Sequence, residues 1–306
     1  MQTPSVTARQ DYAGIIVLAL LTAIWGSKFL FTKLALSQFG ALDVATARLL
    51  LGAIALTIIV YASGQQLPGK WRHWLRLAPL GLMNFALPFY LMVYAQVTLP
   101  SSTSAMYIAA IPLFTLLFTR LVLKEAVSLR RWIGFSIGFA GLIWLTASSQ
   151  TGTGQLTSDQ LPQMALILAS ICFALSSILI RKMPTVAPLP ATAFMLWLGS
   201  LMLLPFGARG LVVQLKHVLD MPMPLGGPGF TALAALLFLG VLPTAVGQAM
   251  RTFTIQRYGP VFFSIVGYLV PLWATLLGVA ILDEKLTLSI VLAFSVIFAG
   301  LLLSHD

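Results

Sequence analysis

Apolar runs of about 20 residues follow one another along this chain from residue 14 onward, with only short gaps between them. A run of that length crosses a hydrocarbon core of about 30 Å as an α-helix, and in lipid an open sheet edge or bare loop would leave backbone groups unsatisfied. The chain therefore predicts an all-α integral membrane protein with transmembrane helices near residues 14–34, 41–62, 75–95, 101–122, 130–147, 163–182, 190–206, 230–248, 260–282 and 288–303. Charged residues make up 8% of the sequence, against about a quarter in a soluble domain. The first run has no small-residue cleavage site behind it and exceeds a signal-peptide core, so it reads as a helix.

The second half repeats the first. An offset of 159 positions pairs Pro112-Leu113 with Pro271-Leu272, Glu125 with Glu284, and Phe139-Ala140-Gly141-Leu142 with Phe298-Ala299-Gly300-Leu301, without a gap. Leu80-Gly81 meets Leu239-Gly240 in the same register. Nearer the start of each half the offset is 149, pairing Ser27 with Ser176 and Lys33 with Lys182, and the extra residues fall in a connector around 208–229. The units are 14–147 and 163–303. Five spans per unit is an odd number, so the second copy must enter the membrane inverted, as in transporters whose two sides open alternately around a central site.

Positive charge sets the orientation. With the N-terminus inside, the cytoplasmic side holds twelve Lys and Arg residues against four outside, with Lys28 and Arg48 within helices, which predicts both termini in the cytoplasm. The net charge of +10 is spread over these gaps and forms no stripe or tail, so nucleic acid is not an expected partner. The single cysteine, Cys172, can form no disulfide within the chain.

Several motifs converge on one family. Ala23-Ile24-Trp25-Gly26-Ser27 with Lys33, Ala47-Arg48, Pro112-Leu113 followed by Lys124-Glu125, a Gly134 to Gly141 helix, and the echo in Pro271, Asp283-Glu284 and Gly300 resemble the drug/metabolite transporter superfamily. Within it the chain looks most like ten-helix exporters with paired EamA-type domains. The resemblance implies an inner-membrane exporter, and by size and aromatic content it is most similar to those of aromatic amino acids and methyl viologen. The position matching Arg48 in the second half is Trp197, so the halves differ there.

The candidate solute site follows from polar and irregular positions in apolar helices. Pro88, Pro112, Pro243 and Pro271 each deprive a carbonyl one turn earlier of its donor, and they mark candidate hinges in the third, fourth, eighth and ninth helices. Lys28 lies in the outer part of helix one, where an intramembrane charge needs a partner or a cavity; snorkelling to the interface is the alternative. Trp25 shares its face and offers a stacking surface, or simply packs against neighbouring helices. Asn84, Tyr90, Tyr94, Tyr107 and Tyr268 could build a polar, aromatic cage, with Tyr94 alternatively part of the interfacial belt. Gln248 could line an inner gate or bond between helices, and Arg251 reads as a cytoplasmic anchor.

All eight acidic residues and all three histidines map to loops, termini or helix ends, leaving no obvious proton relay within the membrane. The expectation is facilitated transport of amino acids down their own gradient by alternating access. The implied partners are a small-molecule substrate and the lipid bilayer, with no metal and no cofactor. No hydrolase, zinc or Walker motif supports an enzyme or an ATP-driven pump. A multidrug or cationic-compound exporter is the alternative, disfavoured by Lys28 and by the want of a central carboxylate. A passive channel or receptor would call for a continuous polar stripe or a soluble domain. Glu125 and Glu284 are expected to pair with the adjacent Lys124 and Lys285 at helix ends.

Overall fold

Apolar segments in lipid close their hydrogen bonds on themselves, and all regular structure among the described residues is helical. The computed structural model describes residues 8–68, 71–148, 160–181, 187–222 and 224–304. Their helices join into ten columns. The first half holds α1 Ala8–Leu36, α2 Ala41–Ala62, α3 over 71–98, α4 Ser101–Leu123 and α5 Leu129–Ser148. The second holds α6 Leu161–Arg181, α7 Pro188–Leu219, α8 Pro228–Tyr258, α9 Pro260–Leu282 and α10 Leu288–Ser304. Eight have the length and hydropathy to cross a membrane; the others are α5, whose first turn carries Arg130 and Arg131, and the shorter α10.

Two columns are longer than the apolar pattern indicates. The seventh helix does not stop near 206 but runs past Pro205 to Leu219, so most of the expected connector from 208 onward is helical. Gly207 and Gly210 let this extension lie against Thr46 and Asp43 of α2, and Val218 joins a buried cluster with Ala35 and Phe39. Lys216 and His217 occupy its last turn, where positive charge suits the helix dipole. The eighth helix continues beyond 248 to Tyr258 despite its polar composition, and within it Thr252 and Thr254 satisfy their hydroxyls on the carbonyls of Gln248 and Met250.

The two halves are interwoven by a contact scheme that repeats itself. The first helix of each half packs on the third and fourth of the other: α1 on α8 and α9, α6 on α3 and α4. The second helices pack on each other, α2 on α7, and so do the fifth, α5 on α10. In the α5–α10 seam a side chain at Gly134 would strike the Gly300 carbonyl and the Ser304 amide, and one at Gly141 would strike Ile297 and the Ala293 carbonyl. This glycine face is therefore used within the chain, where small residues let helix backbones approach in lipid.

Irregularities repeat as well. A π-helical turn interrupts α3 at Leu82–Ala86, and another interrupts α8 at Gly240–Val246, in register at the 159-residue offset. Gly81 and Gly240, at the head of each turn, abut α7 at Leu198 and α2 at Leu51. Lys124 and Asp283, again 159 apart, end α4 and α9 in the left-handed conformation at φ 58° and 53°, and among the described residues they are the two non-glycine positions there.

Candidate functional site

Proline chemistry at the α8 π turn organises the middle of the bundle. Pro243 has no N–H for the Leu239 carbonyl, and the Thr244 hydroxyl takes its place, donating to that oxygen at 2.7 Å. The same hydroxyl accepts a 3.0 Å hydrogen bond from Arg48 Nε on α2. The guanidinium lies over the Phe89 ring of α3, 4.5 Å from its centroid. Phe89 directly follows Pro88, as Thr244 follows Pro243, so Arg48 touches the residue after a proline on both broken helices. Arg48 is 3% exposed, and its two terminal nitrogens have no partner among the described residues.

From α1, Trp25 Nε1 donates to the Pro243 carbonyl at 3.0 Å. Its ring meets Phe263 of α9 edge-on at 5.8 Å. Lys28 lies one turn further along α1, its ammonium 4.9 Å from the Phe29 ring centroid and near enough to Arg48 for the two cations to repel. Lys28 sits eight residues before the end of α1 and Arg48 seven after the start of antiparallel α2, so at 1.5 Å per residue both lie roughly 10–12 Å below the same face. Neither forms an ion pair with a carboxylate among the described residues.

The remaining sequence candidates divide. Asn84, in the α3 π turn, accepts a 2.9 Å hydrogen bond from Ser176 of α6. Gln248 accepts from Arg251 Nη1 at 3.5 Å, and Arg251 is helical, with its guanidinium 5.8 Å from the Phe263 centroid. Trp25, Arg48 and Gln248 thus gather at α8, with Lys28 on the Arg48 side and Asn84 marking the matching position on α3. Tyr90 and Tyr94 stack loosely on one face of α3, ring centroids 6.1 Å apart, and both are half-buried. Tyr107 and Tyr268 do not join a cage. Tyr107 is fully buried, donating to Thr146 of α5 at 3.0 Å, and its carbonyl accepts from Ser170 of α6. Tyr268 turns to α10, its hydroxyl 3.4 Å from the Leu301 carbonyl and its ring edge-on to Phe298.

The four prolines also differ. Pro88 follows a π turn, Pro112 follows a break at Ala109-Ala110 between Ser101–Ile108 and Ile111–Phe118, and Pro243 lies within a π turn. Pro271 interrupts nothing: α9 runs through it, as α3 does through Pro79 and α7 through Pro205. Arg48, Thr244, Phe89 and Phe263 were not singled out by sequence as site residues. A lone arginine deep in an apolar helix is the signal that could have found the first; the other three carry none.

At the end of α9, Glu284 does not depend on the adjacent lysine. It accepts hydrogen bonds from the Ser101 N–H at 2.5 Å, the Ser102 N–H at 3.0 Å and the Ser102 hydroxyl at 2.6 Å, capping the N-terminus of α4. Burial pushes its pKa up, but the Ser102 and Ser101 hydrogen bonds outweigh it and hold the carboxyl below the usual glutamate value. Among the described residues no three His, Cys, Asp or Glu side chains come together as metal ligands.

The EamA-like transporter family matches residues 12–147 and again 161–305. The uncharacterized inner membrane transporter YedA of Escherichia coli (strain K12) is 25% identical over 284 residues, covering 92% of this chain and 87% of YedA. A "Probable terminal-alkyne amino-acid exporter" of Streptantibioticus cattleyicolor is 22% identical over 254 residues, 83% of this chain and 80% of its own length. One crystal structure, 17% identical, superposes with a TM-score of 0.61 over 95% of this chain and 96% of its own, a likeness of fold.

Proposed function

Because the chain belongs to the EamA-like transporter family of the drug/metabolite transporter superfamily and is a membrane transporter, we propose that it exports amino acids and closely related carboxylates. Transport is by alternating access between the two units, 14–147 and 163–303, in an inner membrane with both termini cytoplasmic. The observation that carries this reading is Arg48: a buried guanidinium with free terminal nitrogens, beside Lys28 and between two helices broken at prolines. Such a pair offers bidentate and point-charge recognition to a carboxylate. Trp25, Phe89 and Phe263 supply apolar and aromatic surface for its side chain, while Asn84, Tyr90, Tyr94 and Gln248 supply polar atoms along the path. The relative with an amino-acid exporter's name supports the substrate class. The acidic residues of the described helices lie at helix ends, which favours facilitated uniport over proton coupling.

The test is uptake of radiolabelled phenylalanine, threonine, methionine and lysine into liposomes holding the purified protein, with and without an imposed pH gradient. Saturable uptake indifferent to the gradient and lost in Arg48→Gln is the expected result. Uptake driven by the gradient would overturn uniport, and uptake of neither these amino acids nor their N-acetyl derivatives would overturn the substrate class.

A further inference from the structure

Positive and negative charge are unequally placed within this bundle. The Leu239 carbonyl accepts one hydrogen bond from Thr244, the Pro243 carbonyl one from Trp25, Asn84 Oδ1 one from Ser176 and Gln248 Oε1 one from Arg251, and all four acceptors are uncharged. Of the buried side-chain oxygens without a partner, the amide oxygens of Gln96 and Gln163 lie two residues from the end of α3 and the start of α6, and the others, among them Thr22 on α1, Ser200 on α7 and Thr275 on α9, are uncharged hydroxyls. The described acids from α2 onward sit at helix ends: Asp43 accepts the Gly40 N–H in the first turn of α2, Asp220 ends α7, and Glu125, Asp283 and Glu284 follow the ends of α4 and α9. Against these stand the Lys28 ammonium and the terminal nitrogens of Arg48, two cations at one depth with no carboxylate between them.

A zwitterionic amino acid would bring a carboxylate that these two cations can hold and an ammonium for which they offer no counter-charge. We infer that the cargo is a net anion, an organic carboxylate whose amino group is blocked or absent, and that its transport carries negative charge across the membrane. The inference rests on the transport role proposed above and narrows its substrate. It also accounts for export without a proton relay, since a potential of about 100 mV, negative inside, sustains roughly a 50-fold outward concentration ratio for a monovalent anion.

Two probes with the same ring and carboxylate separate the ideas: N-acetylphenylalanine, a monoanion, and phenylalanine, a zwitterion. Each is offered to protein-loaded and protein-free liposomes whose potential is set by valinomycin and a potassium gradient. N-acetylphenylalanine uptake is expected to exceed phenylalanine uptake at least tenfold and to rise several-fold when the interior is made positive. Arg48→Gln and Lys28→Gln should each lower it at least tenfold, Lys28→Gln with an unchanged melting temperature; should Arg48→Gln, which also loses the bond to Thr244, not fold, the half-buried Lys28 carries the comparison. Phenylalanine uptake that ignores potential, with N-acetylphenylalanine excluded, would overturn the net-anion inference and leave the transport reading standing. Uptake of neither would overturn both.

Discussion

Arg48 and Thr244, 196 positions apart in sequence, meet in a 3.0 Å hydrogen bond from the guanidinium Nε to the threonine hydroxyl. The hydroxyl is already engaged as a donor, bonding the Leu239 carbonyl that Pro243 strands. One side chain thus repairs a helix break and fixes the direction of a buried cation. Thr244→Val keeps the shape and removes both bonds, so it should cost about 1–3 kcal/mol of stability, while Thr244→Ser should retain most of it. Thermal unfolding followed by a thiol-reactive dye is a suitable measurement, because the one cysteine of the chain, Cys172, is buried in the folded protein.

The α5–α10 seam supplies a second prediction with its own control. A Cβ at Gly300 would enter the backbone of Gly138 and approach the Gly134 carbonyl at 2.6 Å, whereas a Cβ at Gly267 meets nothing within 4 Å. Gly300→Ala should destabilise by about 1–3 kcal/mol through overpacking. Gly267→Ala should be neutral, or stabilise by up to about 1 kcal/mol through helix propensity. Equal melting temperatures for the two variants would contradict the seam.

Glu284 predicts a pH dependence of definite sign. Its carboxylate form is favoured in the folded protein, so its contribution is fully present above the ordinary glutamate pKa and disappears as pH falls through the lowered native value. The melting temperature should therefore be insensitive to this group from pH 7 to about 5 and should fall below about 4. Glu284→Gln should melt lower at neutral pH and show a shallower acid limb.

The prolines should not be equivalent. Pro243→Ala returns an N–H to the Leu239 carbonyl and competes with Thr244, so it should straighten α8, hold or raise the melting temperature, and slow amino-acid or N-acetylphenylalanine uptake into liposomes several-fold. Pro271→Ala, in a helix with no break, should change the rate little. Unchanged uptake in Pro243→Ala would remove the argument for a hinge at the α8 π turn.

Hydropathy and the 159-residue offset gave the helices and their duplication because insertion into lipid depends on length and apolarity, which a sequence displays directly. Azimuth is different. A π turn inserts one residue into the helical ladder and rotates everything beyond it by roughly 100°, without leaving a mark in hydropathy. That is why Arg48 meets Thr244, inside one π turn, and Phe89, just beyond the other, unannounced; Tyr107 and Tyr268, with no such turn before them, face α5 and α10 through a helix azimuth that depth alone does not reveal. The apolar pattern stops short of the ends of α7 and α8, because polar residues there lie against α2 or bond within their own helix, which composition cannot distinguish from a loop. Adjacency in sequence points Glu284 to Lys285, whereas its hydrogen-bond partners are Ser101 and Ser102.

The pairing of α5 with α10 also fixes an order of events at the ribosome. α5 is synthesised long before α10, so its glycine face must wait in the bilayer until the second half has been translated, as α2 must wait for α7. Each half therefore reaches the membrane as an unfinished surface, and the first helices inserted are among the last to find their final neighbours.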